Sequence, residues 1–176
     1  TVFENPHKDI QSLYPYMVFE PLAYYDAKND KLIPALATEW SHNDDYTEFT
    51  FTIREGVTWQ DGEPLTADDV VFSFNDSMLN PNCGGFSICQ YVVGQEEAVN
   101  GEADTVSGIT AEGNVVTIKL TQPTALFLNP ASSVMILPKH LLEGIAWADV
   151  NAAEYWTKPI GSGPYMINEV KFPDYF

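Results

Sequence analysis

The stretch VTWQDGEPLTADDVVFSF, residues Val57–Phe74, decides the fold because it predicts the end of a strand, a turn and the start of a helix. The dipeptide DG that ends at Gly62 is typical of turns, and glycine is free to take a positive φ there. Pro64 cannot donate to a strand ladder, so the strand should end before it. Thr66, with Asp69 three residues later, resembles a capping box. We therefore expect a helix that begins immediately after Thr66.

The segments around this stretch predict further helices and antiparallel strands. Glu48–Arg54 alternates apolar and polar residues, as a half-buried antiparallel strand does. Apolar residues after Thr66 recur at the spacing of an amphipathic helix, which Pro81 should end. A hairpin is predicted around Gly113 and a last strand at Tyr165–Lys171. Together these elements predict a mixed α/β fold.

The composition restricts the possible partners. The chain has 176 residues, of which 45% are hydrophobic and 13% aromatic, enough for a substantial core. Its 8 Lys and Arg residues face 25 Asp and Glu residues, which gives a net charge of -17. Nucleic-acid and anionic-membrane partners are therefore not expected, because phosphate binding needs clustered basic residues. We interpret the acidity as a contribution to solubility.

Known templates for catalysis and metal binding are missing from the sequence. His7, His42 and His140 do not form an H-E-x-x-H pattern, and no cysteine lies at ligand spacing from them, so a zinc site is not predicted. The tripeptide that begins at Gly161 matches neither G-x-S-x-G nor a phosphate-binding loop. These observations argue against a metal centre and a serine hydrolase.

The covalent feature that we single out is a pair of cysteines. Cys83 and Cys89 flank a loop that contains two glycines, and such a loop can bring the two sulfur atoms within bonding range. If the protein lies outside the cytoplasm, we predict a disulfide between them. The alternative is two unrelated thiols in a reducing compartment. Several tyrosines near predicted loops either pack at the edge of the core or line a ligand cleft.

Six short motifs follow one another along the chain. They are FEPL at 19–22, IPALA at 33–37, FTFTIREGVTWQDGEPLTADDVVF at 49–72, LTQP at 120–123, ILPKH at 136–140 and PIGSGPY at 159–165. Their order and spacing resemble those of the extracytoplasmic solute-binding proteins of ABC importers, in the family 5 class that includes oligopeptide-, dipeptide- and nickel-binding proteins. The resemblance covers most of the chain.

The resemblance implies a fold of the periplasmic-binding-protein type II kind. Residues 20–158 would form the β-rich subdomain of the first lobe, similar to the domain called Ib. Residues 1–19 and 159–176 would form the fringe of the larger α/β lobe. Family members are much longer than this chain, so the resemblance also implies a fragment whose second lobe lies outside it.

The function implied by the resemblance is solute capture for import, with an oligopeptide or dipeptide as the expected solute. Two lobes would close on the ligand without covalent chemistry, so neither enzyme activity nor a cofactor is expected. The expected partners are the solute and the permease subunits. We expect an extracytoplasmic monomer, in the periplasm or on the cell surface as a lipoprotein, that reaches the membrane only through a lipid anchor or the permease.

The resemblance also implies candidate ligand-binding residues. The opening loop, with His7 and Asp9, resembles a segment that often lines the cleft in the family. The loop after the long helix, with Phe86 and Tyr91, resembles a place where an aromatic side chain often touches the ligand. This loop departs from the family pattern because it also carries the two cysteines.

Other functions are compatible with parts of this pattern. Relatives of the same fold bind nickel complexes or oligosaccharides. A receptor that senses peptides and signals, instead of transporting them, would share the fold. A secreted hydrolase is a further alternative, against which the sequence offers no recognisable pair of nucleophile and base.

Overall fold

The computed structural model describes residues 3–8, 14–83 and 87–169. The strands are Ala23–Asp26 (β1), Lys31–Pro34 (β2), Ala37–His42 (β3), Glu48–Ile53 (β4), Ile109–Glu112 (β5) and Val115–Lys119 (β6). The α-helices are Pro15–Val18 (α1), Ala67–Leu79 (α2), Gln95–Val99 (α3), Leu128–Ser132 (α4) and Lys139–Leu142 (α5). Short 3-10 helices occupy Ser87–Tyr91, Trp147–Ala152 and Glu154–Thr157. Among these residues no helix has the length and apolar character needed to cross a membrane.

The main sheet is antiparallel and has four strands in the order β3-β4-β6-β5, while β1 and β2 form a separate two-stranded sheet. The alternation predicted from the sequence is confirmed in β4, where Phe49, Phe51 and Ile53 are buried. In the neighbouring strand β6, Val116 and Ile118 are buried as well. The main sheet therefore presents one apolar face to the core, as period-two patterning requires.

The helix α2 begins where the capping box predicted it. The Asp69 carboxylate accepts the backbone N–H of Thr66 at 2.8 Å and the Thr66 hydroxyl at 3.2 Å. The other carboxylate oxygen accepts the backbone N–H of Lys139 at 2.9 Å. The same side chain therefore starts the helix and holds a segment 70 residues further along the chain.

The side of α2 opposite its apolar stripe does not face solvent, although an amphipathic pattern predicts that it would. Ser73 and Asn75 are buried and have distant partners. The Ser73 hydroxyl donates to the carbonyl of Asp69 at 2.6 Å and accepts the N–H of Leu137 at 2.8 Å. The Asn75 side-chain oxygen accepts the N–H of Val106 at 2.8 Å. Other parts of the protein pack against α2 on several sides, and the polar side chains of the helix accept hydrogen bonds from the backbone of these neighbours.

Two hydrophobic clusters lie against α2. The first contains the buried face of the main sheet together with Val70 and Phe74 of the helix. The second contains Phe72 of the helix, together with Phe3 near the start of the chain and Ile167 near its end. Segments assigned from the sequence to the fringe thus pack against the subdomain through the second cluster. The boundaries at residues 19 and 159 stay a prediction.

The motif PIGSGPY passes against α1 at a distance that only glycine permits. A Cβ atom on Gly161 would lie 1.7 Å from the carbonyl oxygen of Val18. A Cβ atom on Gly163 would lie 2.6 Å from the carbonyl oxygen of Met17. The Gln60 side chain secures this approach, because its amide accepts the N–H of Gly161 at 3.0 Å and donates to the carbonyl of Gly163 at 3.0 Å. The stretch Val57–Phe74, which contains Gln60, is thereby joined to the end of the described chain.

The last strand predicted from the sequence is not formed in residues 165–169, and residues 170 and 171 lie outside the described part. The backbone here pairs with α1 instead of a strand. Gly163 donates to the carbonyl of Val18 at 2.8 Å, and Tyr165 donates to that of Met17 at 3.1 Å. A helix of four residues offers only its last carbonyls, so the pairing does not extend into a ladder.

Replacing Gly161 by alanine should destabilise the protein by about 3 kcal/mol or more, because the added methyl group collides with backbone atoms that cannot rotate away. The matched control is Gly101→Ala, where the new Cβ meets nothing within 4 Å and only the φ of +77° is unfavourable. We expect that control to cost about 1 kcal/mol. Urea denaturation measures both, and equal costs would contradict the close approach.

Candidate functional site

The residues predicted to face a ligand fall on two segments of the chain. His7 and Tyr91 are described by the structure, whereas Asp9 and Phe86 lie outside the described residues. Within the described ranges, no group of three or more His, Cys, Asp and Glu side chains is placed to hold a metal ion.

His7 is buried in the structure, and its contact with a ligand stays a prediction. Only 6% of its surface is exposed. Its Nδ1 atom lies 2.7 Å from the Oδ2 atom of Asp76, and its Nε2 atom lies 2.8 Å from the carbonyl oxygen of Met135. Both ring nitrogens thus have protein partners.

Asp76 is the centre of a buried polar group that we call the Asp76 cluster, which consists of Asn5, His7, Asp76, Asn80 and Asn151. The Asn5 amide donates to one carboxylate oxygen of Asp76 at 2.8 Å, and the Asn80 amide donates to the other at 3.0 Å. The side-chain oxygen of Asn151 accepts the same two amides, at 2.9 Å from Asn5 and 3.1 Å from Asn80. The cluster connects the start of the chain to the C-terminal half of α2.

The environment of Asp76 favours its ionised form. Burial by itself acts to raise the pKa of this carboxyl group, but the hydrogen bond and charge of His7, with the amides of Asn5 and Asn80, outweigh it and hold the pKa below its ordinary value. The lowered pKa means that Asp76 stabilises the fold at pH values above its ordinary pKa. That contribution is lost as the pH falls through the lowered pKa.

Sequence reasoning missed the Asp76 cluster, although α2 carried a signal of it. Asp69, Ser73, Asp76 and Asn80 recur at helical spacing and form a polar stripe on a helix whose other positions are largely apolar. We interpreted the acidic residues at the start of this stripe as a helix cap, which is correct. The rest of the stripe required knowledge of partners far away in the chain.

The predicted disulfide between Cys83 and Cys89 is not formed in the structure, where both residues are free cysteines. The two thiols have different neighbours: the sulfur of Cys83 lies 3.9 Å from the Asp76 carboxylate, while Cys89 is buried in the first hydrophobic cluster. Burial raises the pKa of both thiols, to about 12 for Cys89, and the nearby Asp76 charge adds to the rise at Cys83. The disulfide stays a prediction for the oxidised protein.

Tyr91 closes the loop that follows α2 and is half-buried. Its carbonyl oxygen accepts the backbone N–H of Thr121 at 2.7 Å and the Thr121 hydroxyl at 3.2 Å. These bonds fix the backbone at the end of the loop to the segment after β6. The contact between the Tyr91 ring and a ligand stays a prediction.

An open groove of about 400 Å³ runs between α1 and the residues that follow PIGSGPY. Its lining includes Tyr14, Met17 and Tyr165, and the last two are largely exposed. Tyr16, on the same short helix, is 53% exposed. The groove therefore presents aromatic and thioether groups to solvent, the kind of lining that apolar parts of a ligand contact. We call this surface the α1 groove.

In the reduced protein, we expect Cys83 and Cys89 to react with iodoacetamide about 100-fold or more slowly than in the unfolded chain. The thiolate is the reactive form, and burial with a raised pKa makes it scarce. Timed alkylation at about pH 8, followed by peptide mass spectrometry, measures both rates. Fast labelling of the native protein would contradict the burial. Protection that persists after unfolding and ends only with a reductant would indicate the disulfide.

Comparison with known families gives a match over most of this chain. Residues 31–175 match the family model described as bacterial extracellular solute-binding proteins, family 5 Middle. An ABC transporter peptide-binding protein of Brucella ovis is 31% identical over 152 residues, which cover 86% of this chain and 26% of that protein. The oligopeptide-binding protein AppA of Bacillus subtilis is 33% identical over 162 residues, which cover 90% of this chain and 27% of that protein.

Solved structures share the fold at similar levels of identity. The oligopeptide-binding protein of Thermotoga maritima has a TM-score of 0.75 at 28% identity, over 94% of this chain and 28% of that one. Bacillus subtilis AppA in complex with a nonapeptide has 0.72 at 29%, over 90% and 29%. Campylobacter jejuni NikZ in complex with Ni(L-His) has 0.73 at 28%, over 98% and 32%.

The chain spans about a quarter of the length of the curated relatives that it matches. The fold predicted from the sequence, a mixed α/β structure of the periplasmic-binding-protein type II kind, is confirmed by these neighbours. The family match includes the stretch Val57–Phe74, the main sheet and the motif PIGSGPY. This chain belongs to family 5 of the bacterial extracellular solute-binding proteins.

Proposed function

We propose that this chain is part of a protein that captures peptides outside the cytoplasm for import by an ABC transporter. The observation that carries the proposal is the family match over residues 31–175, supported by relatives named as peptide-binding proteins. The mechanism is closure of two lobes on the solute without covalent chemistry, so we propose no catalytic activity. The partners are the peptide and the permease subunits of the transporter.

The described residues would contribute a rigid frame to such a site. Peptides are commonly held by main-chain hydrogen bonds, with pockets that receive alternate side chains. The α1 groove offers exposed Met17 and Tyr165 as apolar contacts, and Tyr91 lies at the end of the other candidate segment. Both surfaces are supported from behind by buried residues of the two hydrophobic clusters.

A nickel complex is the second candidate solute, because a neighbour of equal similarity is the NikZ complex with Ni(L-His). We propose the peptide first because the sequence relatives carry that name. The extracytoplasmic location, the monomeric state and attachment to the membrane through a lipid anchor or the permease belong to the same proposal. The family description, bacterial extracellular solute-binding proteins, supports this location.

Native mass spectrometry of the complete protein, purified without added solute, should reveal co-purifying peptides, because lobe closure retains its ligand. Calorimetry with tri-alanine, a nonapeptide and Ni(L-His) as separate probes should then give micromolar or tighter binding to at least one peptide and weaker binding to the nickel complex. If the purified protein carries nickel and binds neither peptide, the nickel complex replaces the peptide as the proposed solute. Binding of none of the probes, with no retained solute, would contradict the proposal.

Replacing Tyr91 by alanine in the complete protein should weaken peptide binding by roughly tenfold, the loss expected when one aromatic contact is removed. Tyr46→Ala is the matched control, because Tyr46 is an exposed tyrosine at the turn between β3 and β4, where it stacks on His42. That variant should keep the wild-type affinity. Equal affinities for both variants would exclude the Tyr91 ring from the ligand site.

A further inference from the structure

His7 lies between two groups that accept hydrogen bonds. The carbonyl oxygen of Met135, 2.8 Å from Nε2, cannot donate a proton. The Asp76 carboxylate oxygen, 2.7 Å from Nδ1, accepts when it is ionised. A neutral imidazole has one N–H donor, whereas an imidazolium has two. Only the charged ring, with an N–H on each nitrogen, can donate a hydrogen bond to both acceptors.

The alternative places the proton on Asp76 and leaves the ring neutral, and the surroundings of Asp76 oppose it. Amide donors from Asn5 and Asn80 already point at the two carboxylate oxygens, at 2.8 and 3.0 Å. The thiol of Cys83 is a further donor at 3.9 Å. Donors that converge on a carboxyl group favour its ionised form, in agreement with its lowered pKa. The negative charge of Asp76 is then balanced by His7.

Among the residues that the structure describes, few other charges face the His7–Asp76 pair. Glu4 and Lys8 flank His7 in sequence, but they form an exposed ion pair with each other at 2.9 Å. Cys83, which follows α2, has a raised pKa and is neutral. The segment that carries Met135 contributes only its carbonyl oxygen. The pair of His7 and Asp76 is buried. Loss of either charge therefore leaves the other charge unbalanced in the protein interior, which solvates it poorly.

The buried pair determines where residues 3–8 lie, and these residues in turn support the α1 groove. Phe3 packs on the ring of Tyr14 with centroids 5.0 Å apart, and the N–H of Glu4 donates to the Tyr14 hydroxyl at 2.9 Å. Tyr14 lines the groove beside Met17. A continuous path of contacts thus runs from Asp76 through residues 3–8 to the groove wall.

We propose that His7 and Asp76 form a protonation-dependent latch, which holds residues 3–8 on α2 and so positions Tyr14 in the wall of the α1 groove. Loss of one ring proton from His7 removes a donor from one of its two acceptors and cancels the balance of charge. Residues 3–8 then separate more readily from α2, and the groove loses the support of its wall. The link from the groove to solute capture rests on the proposed function, whereas the latch itself does not.

The test is hydrogen exchange of residues 3–8 in the complete protein, followed by mass spectrometry between about pH 5 and about pH 9, the range in which histidines ordinarily titrate. After correction for intrinsic exchange, protection should fall about 10- to 100-fold towards the alkaline end, the loss expected for one charge-assisted hydrogen bond. Asp76→Asn should remove this pH dependence. The control Asp61→Asn removes a more exposed pair, in which His140 lies 2.9 Å from the carboxylate, and should leave it unchanged.

Nitrogen NMR of histidine-labelled wild-type protein keeps the proposal testable if Asp76→Asn fails to fold. The His7 signals are identified by their loss in His7→Gln, and both should be those of an imidazolium at neutral pH. Their change to the neutral form should coincide with the loss of protection. A neutral ring at neutral pH, or protection that stays constant while the ring titrates, would overturn the latch. Neither result depends on peptide binding, so the latch and the proposed function can fail separately.

Discussion

The buried polar side chains of α2 are the constraint on which the rest of the structure depends. A polar group that is removed from water must find a partner inside the protein, or its burial costs several kcal/mol. Asp69, Ser73 and Asn75 meet this requirement with backbone N–H groups of residues 139, 137 and 106, all distant in sequence. Asp76 meets it with the side chains of residues 5, 7 and 80. The helix therefore specifies where three other segments lie, near residues 5–7, 106 and 137–139, in addition to filling the core.

Hydrophobic burial and polar pairing have different roles here. The two clusters on either side of α2 supply the nonspecific driving force, which tolerates changes of similar volume. The hydrogen bonds of Asp69 and Ser73 select one position of the segment 137–139 along the helix. A shift of that segment by one residue would break both bonds and leave the backbone N–H groups of residues 137 and 139 without these acceptors. The hydrogen bonds of the polar stripe thus determine how the segments are arranged, whereas the stripe buries little apolar surface.

Local patterns in the sequence predicted the elements whose causes are local. The alternation in β4 and the capping box between Thr66 and Asp69 depend on residues within one strand or one helical turn, and both are confirmed. The Asp76 cluster could not be predicted in this way, because His7 is 69 residues from Asp76. Burial of His7 depends equally on that distant pairing. The last strand was predicted from its own residues, but a strand forms only where a neighbouring backbone offers an extended edge, and α1 does not.

The motifs that identify the family have structural roles. They therefore show which family the chain belongs to without showing which ligand it binds. Gly161 is required by its approach to Val18, and Gln60 holds that approach in place through the backbone. Neither residue needs to touch a solute to be indispensable. The Asp76 cluster and the glycine contact both fix segments that support the α1 groove. Residues 3–8 contact Tyr14 in the groove wall, and residues 161–165 lead into the lining at Tyr165. A groove whose two sides are held by separate contacts can be loosened on one side alone. The contact at residues 3–8 contains an ionisable pair, His7 and Asp76, whereas Gln60 and Gly161 have no ionisable side chain. The chemistry of the two supports, rather than the shape of the groove, is what makes a response to protonation possible.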